Sequence, residues 1–297
     1  GLKMLEYRGY DSSGICGVHN GVLVIKKEIG KIGDIDKKLN LREIPGDIAI
    51  GHNRWATHGG VTKENSHPHT DCSESIAVVH NGIIENYEEL KKTLIINGHV
   101  FKSQTDTEVI PHLIEAKVKA GKTFETAVAE TCNELEGRFA IVAVKKDEKK
   151  MIGARRGSPL VMGIGEGKYF LASDVPAFLA STRKVIFLED NEMVVIGSEP
   201  KIINFKTGAA VQRQVQEITW TAEEAEKGEY PHYLLKEIME QGFTLRGAIN
   251  QDELHIQKVA EMVNNAFGTY IVGCGTAGKV GLAGTYIFSK IAKKHVN

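Results

Sequence analysis

The sequence predicts an α+β fold in which helices and strands form separate layers. Helical patterns follow one another at residues 87–97, 109–120 and 124–135, the last two with apolar side chains on one face. Residues 139–208 then carry short apolar runs separated by charged or glycine turns, a pattern typical of successive β-strands. Because strands do not alternate regularly with helices, the sequence favours packed layers over a doubly wound parallel sheet.

Composition limits the class of protein before any motif is considered. A chain of 297 residues exceeds the usual size of one core, which predicts a large domain and a smaller or partial one. The formal net charge is −1 and acids and bases are mixed, so we expect no nucleic-acid partner. Residues 1–10 lack a signal-peptide pattern and no apolar run is of spanning length, so we expect a cytoplasmic protein without membrane association.

The cysteines and histidines give no metal-binding or disulfide signature. The four cysteines are widely separated and form no CxxC pair: Cys16, Cys72, Cys132 and Cys274. Reduced thiols are therefore expected. Cys72 is expected in a polar loop near His67 and His69, but the spacing of His67, His69, Cys72 and His80 fits no standard metal template. The sequence predicts no metal site, and no cofactor is expected.

A first candidate site lies where a strand at residues 47–56 runs into a polar, glycine-rich loop. Arg54 and Trp55 emerge side by side at the end of this strand, and Thr57 and His58 follow in the loop. A guanidinium can hold a carboxylate through two hydrogen bonds, and an indole can cover an apolar stem. These side chains suit a pocket for a small carboxylate, although a surface arginine and a half-buried tryptophan remain the alternative.

A second candidate site is the Asn81-Gly82 pair, which follows a strand at residues 76–79. A helix at 87–97 comes next, with Asn86 as its expected cap, so this pair does not serve a hairpin turn. A side-chain amide and a flexible backbone N–H after a strand can form an oxyanion hole. A structural turn remains the alternative.

Two polar residues, Thr105 and Asp106, precede the helix at residues 109–120. Either of them can serve simply as the N-cap of that helix. Their position alone does not separate this structural role from a place in a binding site.

The last part of the chain differs in composition. Residues 212–228 are charged and lack apolar periodicity, which predicts a linker. Helices are expected at residues 233–240, 243–249 and 253–266, followed by a strand at 269–273. The glycine-rich turn after this strand contains Gly275 and Thr276 at the start of a helix, where free N–H groups favour an anion such as a phosphate. This signal is weak by itself.

The motifs together resemble those of the glutamine–fructose-6-phosphate aminotransferase (isomerising) family, also called glucosamine-6-phosphate synthases. The matching segments are LEYRGYDSSG at 5–14, GHNRWATHG at 51–59, NSHPH at 65–69, VVHNGIIENY at 78–87, QTDTEVI at 104–110, RRGSPL at 155–160, KGEYPHYLLKEIMEQ at 227–241 and VGCGTA at 272–277. The resemblance implies an αββα N-terminal-nucleophile sandwich, the class II glutamine amidotransferase domain, at residues 1–211. A linker at 212–228 and the start of an α/β sugar-isomerase domain at 229–297 would follow.

The resemblance also implies a role for each candidate residue. In this family glutamine is hydrolysed to glutamate and ammonia, and the ammonia passes to fructose 6-phosphate to give glucosamine 6-phosphate. By this resemblance Arg54, Thr57 and His58 would bind the α-carboxylate of glutamine, and Asp106 would bind its α-ammonium group. Asn81 and Gly82 would form the oxyanion hole, and Trp55 would act in the lid. Gly275 and Thr276 would bind the sugar phosphate.

Two departures from the family pattern are expected to matter. The family's nucleophile is a cysteine at the mature N-terminus, so we expect this chain to begin downstream of it and to be inactive alone. Ala277 stands where the family usually has a phosphate-binding serine. By resemblance the full-length protein is expected to be a homodimer. Another class II glutamine amidotransferase, or a non-catalytic amino-acid-binding homologue, remains an alternative.

Overall fold

A computed structural model describes residues 1–219, 228–231, 233–273 and 275–297. Within it the chain divides into two compact units, Gly1–Glu226 and Lys227–Asn297. Part of the predicted linker, residues 220–227, lies outside the described residues, as does Cys274.

The first unit contains three antiparallel sheets. Their strands are β1 (Ser12–His19), β2 (Val22–Ile29), β3 (Ile48–Arg54), β4 (His69–Thr70), β5 (Ile76–Ile84), β6 (Gly137–Lys145), β7 (Met151–Arg156), β8 (Val161–Gly165), β9 (Lys168–Ala172), β10 (Lys184–Phe187), β11 (Glu192–Ile196), β12 (Pro200–Asn204) and β13 (Gln216–Glu217). The strand orders are β2-β1-β3, β13-β10-β8-β9 and β12-β11-β7-β6-β5-β4.

Helices cover both outer sides of the sheets. They are α1 (Ile32–Leu39), α2 (Tyr87–Ile96), α3 (Val109–Lys119) and α4 (Phe124–Glu134). Helices α2 to α4 share one apolar cluster with one face of the six-stranded sheet. The other face of that sheet shares a second cluster with the two smaller sheets. Helix α1 packs on the three-stranded sheet through Ile32 and Ile35. The resulting helix–sheet–sheet–helix order confirms the predicted layers.

The six-stranded sheet is buried on both faces, which explains its continuous apolar sequence. In β5, Ile76 and Val78 face the helices, whereas Ala77 and Val79 face the smaller sheets. The period of two carries this alternation onward, so that His80 contacts the helical side and Asn81 the opposite side. A single strand therefore supplies polar groups to both layers.

Several sequence predictions need correction. Asn81 and Gly82 lie inside β5 and pair with β6, so they do not form a turn after the strand. Asn86 does not cap α2 with its side chain; it binds the Glu134 carbonyl and the Glu136 N–H instead. The short helix α1 and the strands β4, β12 and β13 were not predicted, because each is brief and lacks a clear period.

The second unit contains α5 (Tyr233–Ile249), α6 (Glu253–Asn265) and α7 (Gly275–Ile287). Helix α5 is continuous where the sequence predicted two helices. The strand predicted at residues 269–273 does not form; these residues are without regular structure, because the described part of the unit offers no strand to pair with. Among the described residues, no helix combines the length and apolar character needed to cross a membrane.

Candidate functional site

A cavity of about 300 Å³ opens where the ends of β3 and β5 meet the segment before α3. Its lining includes every site residue that the sequence predicted in the first unit: Arg54, Trp55, Thr57, His58, Asn81, Gly82 and Asp106. They come from three separate stretches of the chain, which the packing of β3 and α3 against β5 brings together. Their assigned roles remain predictions.

The Arg54 guanidinium lies at the base of the loop after β3 and is 4% exposed. Its Nη1 donates to the Gly60 carbonyl at 3.0 Å, and its Nη2 donates to the carbonyls of His58 and Gly59. Burial lowers the pKa of Arg54, while the nearby Asp11 and Asp106 carboxylates oppose that shift. A cation that is always charged in proteins is therefore fixed in the cavity wall.

Asp106 supplies a buried carboxylate to the same cavity and is 3% exposed. Its Oδ2 accepts the Ile84 N–H at 2.8 Å, and its Oδ1 lies 4.0 Å from His58 Nδ1. The cap position of α3 is Glu108, and no side chain caps this helix. Asp106 is therefore not the N-cap that the sequence left as an alternative.

Asn81 is oriented by a histidine that the sequence analysis did not select. Its Oδ1 lies 2.7 Å from His52 Nε2. Because an amide oxygen can only accept, His52 donates from Nε2 and the Asn81 NH₂ group remains the donor end. Burial lowers the pKa of His52 to about 4, which keeps its ring neutral. The alternation of β3, which places His52 and Arg54 on one face, was the available signal.

Gly82 has a backbone conformation that requires glycine. Its φ is 130°, and a Cβ at this position would lie 1.9 Å from the Arg138 carbonyl oxygen of the neighbouring strand. A side chain is excluded both by strain and by space. The backbone beside Asn81 is therefore bare where it borders the cavity.

The outer wall of the cavity is more exposed. Trp55 is 57% exposed and makes an edge contact with Tyr10 at 5.5 Å between ring centroids. His58 makes a similar contact with Tyr87 at 5.4 Å, and Thr57 lies between them on the loop. This wall therefore presents aromatic rings and the Thr57 hydroxyl around the charged groups of Arg54 and Asp106.

Buried histidines support the floor of the cavity. His80 Nδ1 lies 2.9 Å from Thr107 Oγ1, His67 Nε2 lies 3.4 Å from the same oxygen, and His69 Nε2 lies 3.1 Å from Thr105 Oγ1. Burial lowers the pKa of His69 to about 3, that of His80 to about 4 and that of His67 well below its usual value. These neutral rings fix the two threonines that flank Asp106.

Asn65 joins the two loops of the site and is 2% exposed. Its Nδ2 donates to the Gly60 carbonyl at 2.9 Å, and its Oδ1 accepts the Gln104 N–H at 2.9 Å. The Gly60 carbonyl is also held by Arg54. Asn65 thus couples the position of the Arg54 loop to that of Asp106.

The described cysteines lie away from the cavity. Cys16 and Cys132 are buried, and burial raises the pKa of each to about 12. Cys72 lies beside His99 and His112 rather than near His67 and His69 as the sequence suggested. None of these three cysteines lines the cavity.

The predicted phosphate-binding pair belongs to the second unit. Gly275 and Thr276 form the exposed first residues of α7, and Gly275 has a φ of 57°. The structure places both at a helix N-terminus, as the sequence predicted, and adds no ligand-specific feature to them.

Comparison with known proteins identifies relatives of the whole chain. Residues 52–180 match the glutamine amidotransferase domain family. The chain is 48% identical over 295 residues to glutamine–fructose-6-phosphate aminotransferase [isomerizing] of Pyrococcus horikoshii, covering 99% of this chain and 49% of the relative. The protein of the same name from Methanothermobacter thermautotrophicus is 47% identical over 292 residues, with 98% and 49% covered. The chain thus spans about half the length of the curated relatives it matches.

Solved structures show the same fold in the first unit. Glutamine phosphoribosylpyrophosphate amidotransferase from B. subtilis, complexed with ADP and GMP, aligns with a TM-score of 0.60 and 29% identity, covering 69% of this chain and 45% of that chain. A structure described as the allosteric regulatory enzyme of purine biosynthesis aligns with a TM-score of 0.61 and 30% identity, covering 70% and 46%. The chain therefore carries an N-terminal-nucleophile-type class II glutamine amidotransferase domain and belongs, over nearly its whole length, among the homologues of glutamine–fructose-6-phosphate aminotransferase.

Proposed function

We propose that the cavity binds L-glutamine and presents its side-chain amide for hydrolysis. The observation that carries this proposal is the placement of a buried guanidinium, a buried carboxylate and an oriented amide donor in one small cavity. Arg54 would bind the α-carboxylate with Thr57 and His58, and Asp106 would bind the α-ammonium group. An amino-acid zwitterion needs one fixed cation and one fixed anion at short range.

The remaining donors suit the reacting end of the substrate. The Asn81 NH₂ group and the Gly82 N–H would form the oxyanion hole, which stabilises the negative oxygen formed when the amide carbonyl is attacked. Trp55 would cover the bound substrate and limit the entry of water. For Arg54, Nε–H and the second Nη1–H make no hydrogen bond to the described residues, so the guanidinium retains donors for a carboxylate.

The nucleophile is assigned to the N-terminal cysteine that the family resemblance implies. None of the cysteines among the described residues lines the cavity, so we expect none of them to act as the nucleophile. Glutamate release that disappears in the Cys72→Ser variant would contradict this assignment.

For the complete protein we propose the aminotransferase reaction. Glutamine and water give glutamate and ammonia, and ammonia with fructose 6-phosphate gives glucosamine 6-phosphate and water. Support comes from the relatives of that name, which align with 98–99% of this chain. The phosphoribosylpyrophosphate amidotransferase aligns with only 69% of it, which disfavours that activity. Residues 229–297 would begin the sugar-isomerase domain, with Gly275 and Thr276 near the sugar phosphate, in a homodimeric, cytoplasmic enzyme.

Isothermal titration calorimetry with L-glutamine tests the binding site. We expect binding by the parent chain and at least about 100-fold weaker binding by Asp106→Asn and Arg54→Lys, since each removes a charge-assisted or bidentate contact. The exposed changes Asp34→Asn and Arg42→Lys are matched controls and should leave affinity unchanged. Equal affinity of the parent and the Asp106→Asn variant would refute the site. Formation of glucosamine 6-phosphate by the complete protein tests the reaction.

A further inference from the structure

A group of potential metal ligands lies between α3 and the segment before β5, and none of its members lines the glutamine cavity. This Cys72 cluster consists of Cys72, His99, His112 and Glu115. Cys72 precedes β5, His99 lies between α2 and α3, and His112 and Glu115 lie three residues apart on α3. Three separate stretches of the chain therefore converge on one point, which no sequence spacing revealed.

The four donor atoms all lie within 4.8 Å of one another, and five of the six distances between them are close to the edges of a metal-centred tetrahedron. Cys72 Sγ lies 3.7 Å from His99 Nδ1 and 3.5 Å from His112 Nδ1, and the two nitrogens are 3.2 Å apart. Glu115 Oε2 lies 3.1 Å from His99 Nδ1 and 3.7 Å from His112 Nδ1. Bonds of about 2.0–2.3 Å to a tetrahedral zinc ion place its ligand atoms roughly 3.3–3.6 Å apart.

We propose that the Cys72 cluster binds one Zn²⁺ ion through Cys72 Sγ, His99 Nδ1, His112 Nδ1 and Glu115 Oε2. One thiolate, two imidazoles and one carboxylate form a mixed donor set that suits zinc better than magnesium or calcium, which prefer oxygen ligands. Four protein ligands complete a tetrahedron and leave no open position for substrate. The site is therefore structural and joins the start of β5, the α2–α3 connection and α3.

Neighbouring groups already hold the ligands in place. The Cys72 N–H donates to Glu115 Oε2 at 3.3 Å, and the Val100 N–H donates to Cys72 Sγ at 3.4 Å. Lys119 Nζ lies 2.7 Å from Glu115 Oε1, the carboxylate oxygen that faces away from the other ligands. Outer contacts of this kind orient ligands and are typical of metal sites in proteins.

His112 has a second feature that a metal explains. Its ring is 1% exposed, and its Nε2 has no hydrogen-bond partner within the described residues. Glu108 Oε1 lies 3.7 Å from Nε2. Coordination through Nδ1 fixes the proton on Nε2 and directs it at this carboxylate, the usual arrangement of a ligating histidine.

The Glu108 carboxylate extends the connection toward the glutamine cavity. It accepts the N–H groups of Lys102 and Ser103 at 2.7 and 2.6 Å. These residues directly precede the segment that contains Asp106. Zinc at the Cys72 cluster would therefore immobilise the backbone that leads into the substrate site.

Metal analysis and cobalt spectroscopy of the purified 297-residue chain test the proposal. After removal of metal by a chelator, we expect one Zn²⁺ to bind per chain and to raise the melting temperature. Co²⁺ should give the intense visible absorption of a tetrahedral ion and a thiolate-to-cobalt charge-transfer band. Cys72→Ser should abolish that band. Loss of a residue that hydrogen-bonds to a metal ligand weakens metal binding about 10–100-fold, so loss of the Cys72 ligand itself should weaken zinc binding at least as much.

Control variants keep the test decisive. Glu115→Gln preserves shape and should weaken zinc binding, whereas His19→Asn, at an exposed histidine outside the cluster, should change neither the stoichiometry nor the spectrum. The opposing possibility is a hydrogen-bonded cluster that binds no metal. The proposal would be overturned, and the metal-free cluster supported, by any of three results: less than one Zn²⁺ per chain, a cobalt spectrum without the thiolate band, or the same zinc affinity in Cys72→Ser.

Discussion

His52 Nε2 lies 2.7 Å from Asn81 Oδ1, so a partly buried neutral histidine on one sheet orients the candidate oxyanion-hole amide on the next. The contact connects β3 to β5 at the level of the cavity. It also explains why Asn81 presents its NH₂ group rather than its oxygen, because only the oxygen can accept from Nε2–H.

Replacing His52 with leucine should impair glutamine hydrolysis in the complete protein more than glutamine binding. Without the donor, the Asn81 amide can rotate and present its oxygen, and loss of one oxyanion-hole donor typically lowers kcat about 10²–10³-fold. Steady-state kinetics should show a fall in kcat with little change in KM. His52→Gln retains an N–H donor and should recover part of kcat. An equal loss in both variants would argue for a packing role only.

Gly82→Ala should destabilise the first unit strongly. The added Cβ would lie 1.9 Å from the Arg138 carbonyl at a φ of 130°, so we expect a loss of about 3 kcal/mol or more in the free energy of unfolding. Gly98→Ala is the matched control, because Gly98 has a φ of 87° with nothing within 4 Å of an added Cβ. It should cost only about 1–2 kcal/mol. Urea unfolding that gives similar losses for both would contradict the steric argument.

Stability should fall as the pH is lowered from about 6.5 to about 4. His52 and His80 have pKa values lowered from 6.5 to about 4, and His69 to about 3, so in this window the unfolded chain binds protons that the folded chain does not. The stabilisation is complete above pH 6.5 and is lost in acid. Each such histidine contributes a slope of up to about 1.4 kcal/mol per pH unit.

Urea unfolding between pH 4 and 7 measures this slope. His80→Gln should reduce it, whereas the exposed change His19→Gln should not. A free energy of unfolding that is constant from pH 7 to 5 would show that the histidines titrate alike in both states.

Asn65→Asp should weaken glutamine binding from a position behind the cavity wall. The change removes the Nδ2 donor to the Gly60 carbonyl, so this carbonyl in the Arg54 loop loses one of its two donors. We expect a loss of about 1–3 kcal/mol in stability together with lower affinity. Asn133→Asp removes a comparable bond to the Phe205 carbonyl and is the control. It should lower stability without changing affinity, and calorimetry that shows equal affinity losses would refute the coupling.

The periodicity of the sequence predicted the layers, and the motifs that carry the family resemblance predicted seven residues that line the cavity. The sequence did not predict His52 and Asn65 as positioning residues, because their partners lie 29 and 39 residues away. It placed Cys72 near the wrong histidines for the same reason. His99, His112 and Glu115 reach Cys72 only through the packing of α3 against the start of β5.

The structural turn that the sequence left open for Asn81 and Gly82 does not form. An Asn-Gly pair normally indicates a turn. Here Gly82 allows β5 to approach the Arg138 carbonyl of β6 and continue pairing. The same dipeptide at Asn20-Gly21 does form the hairpin turn between β1 and β2, with both residues at positive φ.

The alternation of side chains along β5 restricts where residues can be inserted into this chain. Inserting one residue before His80 would send His80 to the smaller sheets and Asn81 to the helices, so both networks would break at once. The turn at Asn20-Gly21 is exposed and lies between β1 and β2, outside both networks. Viable insertions should therefore accumulate at that turn, whereas β5 should tolerate substitutions before it tolerates any insertion.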